Sequence, residues 1–469
     1  MEATTMEQNK AFITALVERA RAAQAVAEGY SQRRVDELAA ALVYALSRPE
    51  LAQSIAEQAL EETHMGRVDS KIAKLTAKMP SILYEVLQTK TVGIVERIPE
   101  KGIAKVAKPV GVIAALIPST NPEATPVFKG TLGLRARNAV IFAPHPSSKG
   151  TTSRVVSVMR EVLKKNGAPE DLFICIDQPT KELTGELMAQ CDLTMATGGG
   201  PMVRAAYSSG KPAYGVGAGN AVVIVDEDAD IEATAEKIAV SKTNDWASGC
   251  SAENSIIVHA KIYDQFIAAM KAQNGYMASA EEKALLETAL WPDGSHLSRE
   301  IVARPAATIA QVAGIDIPAS TRFIMVEEEH AGKPYMFSHE KLSVVLTVYK
   351  FDDFDTAVRL VNDIQKNSGL GHSCGIHTYN QEHIERLALN TYTTKVMVRQ
   401  PHSLSNSGAW WNGLARTFSL GCGTWGGNIV SENITQKHYF NTTWISEPIE
   451  YKPVSEAEIY GDLLDHVVL

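Results

Sequence analysis

The stretch AVIFAPHPSSKGTTSRVVSVMREVLKKNGAPEDLFICID, Ala139 to Asp177, decides the fold. Two short apolar runs, AVIFAP and LFICID, flank a helical pattern from Ser153 to Lys165. Short apolar runs of this kind read as strands buried on both faces, and a helix between two of them is the crossover of a parallel sheet. Working outward, GVIAALIP precedes the stretch, and LTMATGG and NAVVIVD follow it. The alternation predicts a doubly wound α/β sheet that carries its ligand at the carboxyl ends of the strands, as a nucleotide-binding domain does.

A second α/β pattern follows NSIIVH, with a helix from Lys261, another near Ala280 to Leu290, and strands at FIMVEE, SVVLTVYKF, CGIHTY and KVMVRQ. Ahead of both, apolar residues from Lys10 to about Leu87 recur at helical spacing (Phe12, Leu16, Ala20, Ala23; Leu38, Leu42, Leu46) and predict amphipathic scaffold helices. Thr91 to Thr120 reads as a hairpin around Pro99 and Gly102 followed by a buried strand. The tail QKHYFNTTWISEPIEYKP alternates Tyr439, Asn441, Thr443 and Ile445 with other residues, as an edge strand shared between subunits would.

The 469 residues, 45% hydrophobic, suffice for two or three domains and argue against disorder. A net charge of -9 without a Lys/Arg-rich run disfavours nucleic-acid binding. With neither a signal-peptide pattern nor about 18 consecutive apolar residues, no membrane partner is expected, and the sequence reads as cytoplasmic. Cys175, Cys191, Cys250, Cys374 and Cys422 lack CxxC spacing, so neither a disulfide framework nor a zinc site is expected. HSCGIH and His339-Glu340 do not make a metal-ligand set, and no metal is expected.

Several short motifs carry chemistry in outline. NDWASGCSAEN, Asn244 to Asn254, puts Cys250 in a Gly/Ser turn where its sulfur has room to meet a ligand. ATGGGPMVRAAYSSG sets three glycines between a strand and a helix, where free N–H groups suit a phosphate, although a plain βα turn explains it as well. GVGAGN allows close backbone approach and alone decides nothing. In IPSTNP, Asn121 either donates to an oxyanion or makes an Asx-turn.

Taken in order, TNP, FAPHP, ATGGG, GVGAGN, SGCSAEN, HEKLSVVL, GLGHSCGIHT and LGCGTWGGNIVSENI resemble the CoA-acylating branch of the aldehyde dehydrogenase superfamily along nearly the whole chain. The resemblance implies an aldehyde dehydrogenase-like α/β fold of two doubly wound domains plus an oligomerisation tongue. Residues 1-225 would bind the nucleotide, with the oligomerisation hairpin near 91-110. Residues 226-428 would form the catalytic domain, and 429-469 a return strand and oligomerisation tail. A homodimer or homotetramer is expected. The chain begins in what resembles the family's first helix and ends where the acylating half of a bifunctional aldehyde-alcohol dehydrogenase would end, so no iron-dependent half is expected.

The resemblance also assigns roles. Cys250 would attack the aldehyde, the Asn121 amide and the Cys250 N–H would hold the oxyanion, hydride would pass to nicotinamide, and coenzyme A would take the acyl group. Glu340 matches a glutamate that contacts the nicotinamide ribose or assists proton transfer, and His372 matches a histidine near the site. Pro118, Ser119, His145, Ser147, Ser148, Lys149, Thr197, Gly198, Gly199, Gly215 and Gly217 would contact the cofactor. Gly215 stands where hydrolytic relatives carry the water-activating glutamate, which fits coenzyme A as acceptor. Ser147-Ser148-Lys149 after the strand AVIFAP, in place of an acid for the ribose 2'-hydroxyl, points to NADP, with NAD as the alternative.

The segment Lys395 to Asn428 would line the substrate funnel, and its Arg399, His402, Ser403, Ser405, Asn406, Ser407 and Arg416 suit a small anion, unless the arginines face solvent or a neighbouring subunit. Arg399, Ser407 and Arg416 are the candidate substrate contacts. This segment and SENITQKHYFNTTWIS look most like acylating sulfoacetaldehyde dehydrogenases and CoA-dependent succinate-semialdehyde dehydrogenases. Sulfoacetaldehyde is the expected substrate, succinic semialdehyde the second and acetaldehyde the third. Two rival readings are a hydrolytic dehydrogenase and a dinucleotide-binding assembly protein without chemistry.

Overall fold

A computed structural model describes residues 2–467. Strands Phe173–Cys175, Ala139–Pro144, Val112–Ile117, Leu193–Thr197 and Ala213–Val216 lie side by side in that order and run parallel. All six residues of Val112–Ile117 and of Ala139–Pro144 are buried, because helices cover both faces of the sheet. Residues of the N-terminal helices, including Ile13, Leu42, Ile55 and Ile82, share one core with these strands, and Ile434 and Tyr439 of the tail close it.

A second sheet of seven parallel strands runs Gly275–Met277, Phe323–Glu327, Val345–Phe351, Glu253–His259, Ala221–Val225, Cys374–His377 and Val396–Val398. The strand Ala221–Val225, expected to close the nucleotide-binding unit at residue 225, belongs here instead. It pairs with Glu253–His259 on one side and Cys374–His377 on the other. The chain therefore passes between the sheets at Gly217–Asn220, ahead of the boundary expected at residue 225.

Gly93–Ile98 and Ile103–Pro109 form the expected hairpin, and Phe440–Ser446 joins Ile103–Pro109 antiparallel to make a third, small sheet. The outer strand Phe440–Ser446 leaves Trp444 and Ile445 exposed. Among the described residues no helix is long and apolar enough to cross a membrane.

The site lies where the two parallel sheets contribute residues to one cleft. Ile117, Pro144, Thr197 and Val216 end their strands at the same cleft that Cys250, three residues ahead of Glu253–His259, enters from the second unit.

Candidate active site

The cleft measures 1170 Å³, and Cys250, Asn121 and Glu340 all line it. The backbone delivers Cys250 under constraint. Asp245, Trp246 and Ala247, none of them glycine, have φ of 50°, 49° and 58°. Left-handed backbone costs a residue with a Cβ about 1–2 kcal/mol, so three in a row persist only when their surroundings fix them. Asp245 does that fixing. Its carboxylate accepts from Arg67 N at 2.7 Å, Ser248 Oγ at 2.7 Å and Lys74 Nζ at 2.5 Å.

His372 reaches the sulfur. Its Nε2 lies 3.1 Å from Cys250 Sγ, and its Nδ1 lies 2.8 Å from Ser373 Oγ. In the tautomer that carries its proton on Nδ1, the ring donates to the Ser373 hydroxyl and Nε2 keeps its lone pair for the thiol. Burial, reinforced by Lys395 and His402, holds His372 well below the ordinary histidine range, so the ring is neutral at pH 7. Burial likewise pushes the Cys250 thiol up to about 12, with Glu340 adding to the effect. The resting pair is therefore thiol and neutral imidazole, which suits proton transfer during attack better than a standing thiolate.

Close backbone packing makes this meeting possible. A Cβ at Gly219 would overlap the Cys250 carbonyl, and one at Gly371 (φ 81°) would overlap the Cys422 carbonyl. Asn406 joins the two sides, donating to Ser251 Oγ at 3.1 Å and to Ser373 Oγ at 2.9 Å. His402 donates through Nδ1 to Ser251 O at 2.7 Å. These two residues of the expected substrate funnel thus support the nucleophile from behind, and both are buried.

Glu340 accepts from Gly219 N at 3.2 Å, and burial raises its carboxyl to about 8, so it is protonated at neutral pH. Asn121 turns its Oδ1 to the Lys74 ammonium, leaving Nδ2 with only Thr120 Oγ1 at 3.4 Å.

Of the expected cofactor contacts, Pro118, Ser119, His145, Ser147, Thr197, Gly198, Gly199 and Gly217 line the cleft. Three do not. Ser148 is buried against His145 O at 3.3 Å, and Lys149 turns away to Gln178 Oε1 at 2.5 Å. Gly215 faces Tyr207, whose hydroxyl accepts its N–H at 2.9 Å; a Cβ there would press into Tyr207 and Val203. Lys181 and Arg299, which the sequence did not single out, also line the cleft, Arg299 close enough to His145 to act on its charge.

Of the expected substrate contacts, Ser407 and Arg416 line the cleft and Arg399 does not. Arg399 Nη1 donates to Thr378 O at 2.6 Å and its guanidinium lies 4.8 Å from the Tyr379 ring, so its charge serves that turn. In its place stands Lys78, hidden in the helical region that reads as scaffold. Lys78 Nζ donates to Ser407 O (2.9 Å), Ser407 Oγ (3.1 Å) and Gly408 O (2.6 Å). Burial, with Arg416 nearby, lowers its pKa to about 8.

The model of the aldehyde dehydrogenase family matches residues 2–281. A sulfoacetaldehyde dehydrogenase from an Acholeplasma species is 45% identical over 455 residues, covering 96% of this chain and 94% of that one. The succinate-semialdehyde dehydrogenase (acetylating) of Clostridium kluyveri is 38% identical, covering 97% and 100%. An acetylating aldehyde dehydrogenase from Geobacillus thermoglucosidasius superposes with a TM-score of 0.91 at 36% identity, covering 96% and 99%.

Proposed function

Since the chain belongs to the aldehyde dehydrogenase family and is an acylating member of it, with coenzyme A and a nicotinamide cofactor as co-substrates, we propose that its aldehyde is a small anion, sulfoacetaldehyde before succinic semialdehyde, converted with NADP to the acyl-CoA. One side chain carries this reading. Arg416 spends Nη1 on Glu85 Oε2 at 3.0 Å and stacks 3.8 Å from the Trp410 ring, while its buried Nε has no partner. Nε is enclosed by the protein, so Nη2, which has no hydrogen-bond partner among the described residues, is the donor left for an oxygen of a carboxylate or sulfonate. Lys78 and Ser407 lie beside it in the same cleft as Cys250. An alkyl aldehyde has no use for that donor.

In this reading His372 Nε2 takes the thiol proton as Cys250 Sγ bonds to the carbonyl carbon. The Asn121 amide and the Cys250 N–H hold the resulting oxyanion. The nicotinamide supplies a hydride acceptor when bound. His145, Ser147, Thr197, Gly198 and Gly199 at the strand ends are suited to hold its dinucleotide, since polar groups and bare backbone open there into the cleft. Lys181 and Arg299 supply cations for a 2'-phosphate, the part first given to Lys149. The acyl group, carried on Cys250 as a thioester, leaves to the thiolate of coenzyme A. Water is a poor competitor because a general base at position 215 has no room beside Tyr207. The exposed strand Phe440–Ser446 and its hairpin are the surface we assign to subunit contact in a homodimer or homotetramer.

The test is nicotinamide reduction with sulfoacetaldehyde, succinic semialdehyde and acetaldehyde, each with NADP or NAD, with and without coenzyme A. Sulfoacetaldehyde with NADP is expected to give the highest kcat/KM, and only when coenzyme A is present. A higher kcat/KM for acetaldehyde than for both anions would overturn the anion pocket. Arg416→Met is expected to raise KM for the anionic aldehydes about 10- to 100-fold, the loss of one charge-assisted hydrogen bond, and to leave acetaldehyde within about threefold. An equal loss on acetaldehyde would assign Arg416 to the fold through Glu85 instead.

A further inference from the structure

The oxyanion end of the cleft is gripped by residues that no motif identified. Lys74–Lys78 is a π-helical turn, a widening that commonly marks functional positions. From it Lys74 Nζ donates to Asn121 Oδ1 and to Asp245 Oδ2, and lies 3.6 Å from Glu123 Oε1. One turn earlier, the wholly buried Lys71 donates to Thr120 O at 3.3 Å and pairs with Glu123 at 3.6 Å. Two lysines and two carboxylates thus enclose the Thr120–Asn121 turn and the strained Asp245 turn together. Burial opposes the Lys74 charge, and Asp245 and Glu123 more than offset it, so the ammonium persists.

An ammonium has donors and no acceptor, so it admits only one flip of the Asn121 amide, with Oδ1 inward and Nδ2 outward. A cation on Oδ1 also draws electron density from the amide and strengthens the bonds its N–H groups donate. We propose that Lys74 is a positioning residue of the oxyanion site, fixing and polarising the Asn121 amide while Asp245 ties it to the turn that presents Cys250. The inference rests on Asn121 being the oxyanion donor.

A double-mutant cycle separates the two claims. Asn121→Ala alone is expected to lower kcat about 100-fold or more, as loss of an oxyanion donor does; a loss under about tenfold would remove Asn121 from the mechanism, and Lys74 with it. Lys74→Met is expected to lower kcat about 10- to 100-fold, with KM for aldehyde and coenzyme A within about threefold. Added to Asn121→Ala, it is expected to cost no more than about threefold further, because its effect passes through the amide already removed. The same full factor in both backgrounds, with Asn121→Ala still severe, would overturn the positioning role and leave Lys74 as part of the Asp245 framework only. Should Lys74→Met not fold, Lys74→Gln keeps a donor of similar reach, and the same cycle applies: a larger loss in the wild-type background than in Asn121→Ala supports the proposal, and equal losses overturn it.

Discussion

Replacing Cys250 with alanine will lower turnover at least about 10^4-fold in both directions, aldehyde oxidation with coenzyme A and acyl-CoA reduction, while nicotinamide cofactor affinity stays within about threefold. The argument is one of elimination as well as geometry. Burial pushes the thiols of Cys175 and Cys191 up to about 12 and those of Cys374 and Cys422 up to about 11, so none of the five sulfurs is a thiolate at rest. What sets Cys250 apart is access to a base and to the cleft: His372 Nε2 stands 3.1 Å away, and the residue is partly open to the space where an aldehyde would sit. A small side chain there removes no hydrogen bond that the strained turn depends on, since Asp245 holds that turn through Arg67, Ser248 and Lys74. Unchanged thermal stability with abolished turnover is therefore the expected pair of results. Residual activity above about 1% would mean that another group forms the acyl intermediate.

The sequence made the first sheet legible because parallel strands buried on both faces leave continuous apolar runs, and Val112–Ile117 and Ala139–Pro144 are such runs. Ala213–Val216 escaped notice since it is four residues long and runs straight into the glycines of GVGAGN. The same glycines concealed the crossing between sheets, which placed Ala221–Val225 on the wrong side of the boundary. In the site, Cys250, Asn121, Glu340 and His372 were legible through the order of their motifs.

Lys74, Lys78 and Asp245 were not. A lysine in an amphipathic helix reads as a solvated face, yet Lys71, Lys74 and Lys78, three and four residues apart, share one face of this helical segment. Their partners are also distant in sequence: Lys74 meets Asn121 across 47 residues and Asp245 across 171. Arg399 shows the converse error. Residue type carries no direction, and a positive φ of 53° at Arg399 accompanies a side chain turned to Thr378.

Direction of proton flow gives the second large effect. His372→Gln is expected to lower the single-turnover rate at pH 7 about 10^2- to 10^3-fold, the usual share of a positioned base, and to change the form of the pH profile. With a thiol near 12, about one molecule in 10^5 carries the thiolate at pH 7, so attack without a base depends on that trace. Deprotonation creates the active form, and the variant's rate is expected to climb about tenfold per pH unit from 7 to 10. The unmodified enzyme behaves otherwise. Its imidazole is already neutral above the ordinary histidine range, since burial depresses it, so the rate stays flat with rising pH and falls only in acid as Nε2 gains a proton. Glu340 is the competing base, also in the cleft and titrating near 8. If it takes the thiol proton, His372→Gln will keep a flat limb above pH 9 with a midpoint near 8, and the base assigned to His372 will pass to Glu340.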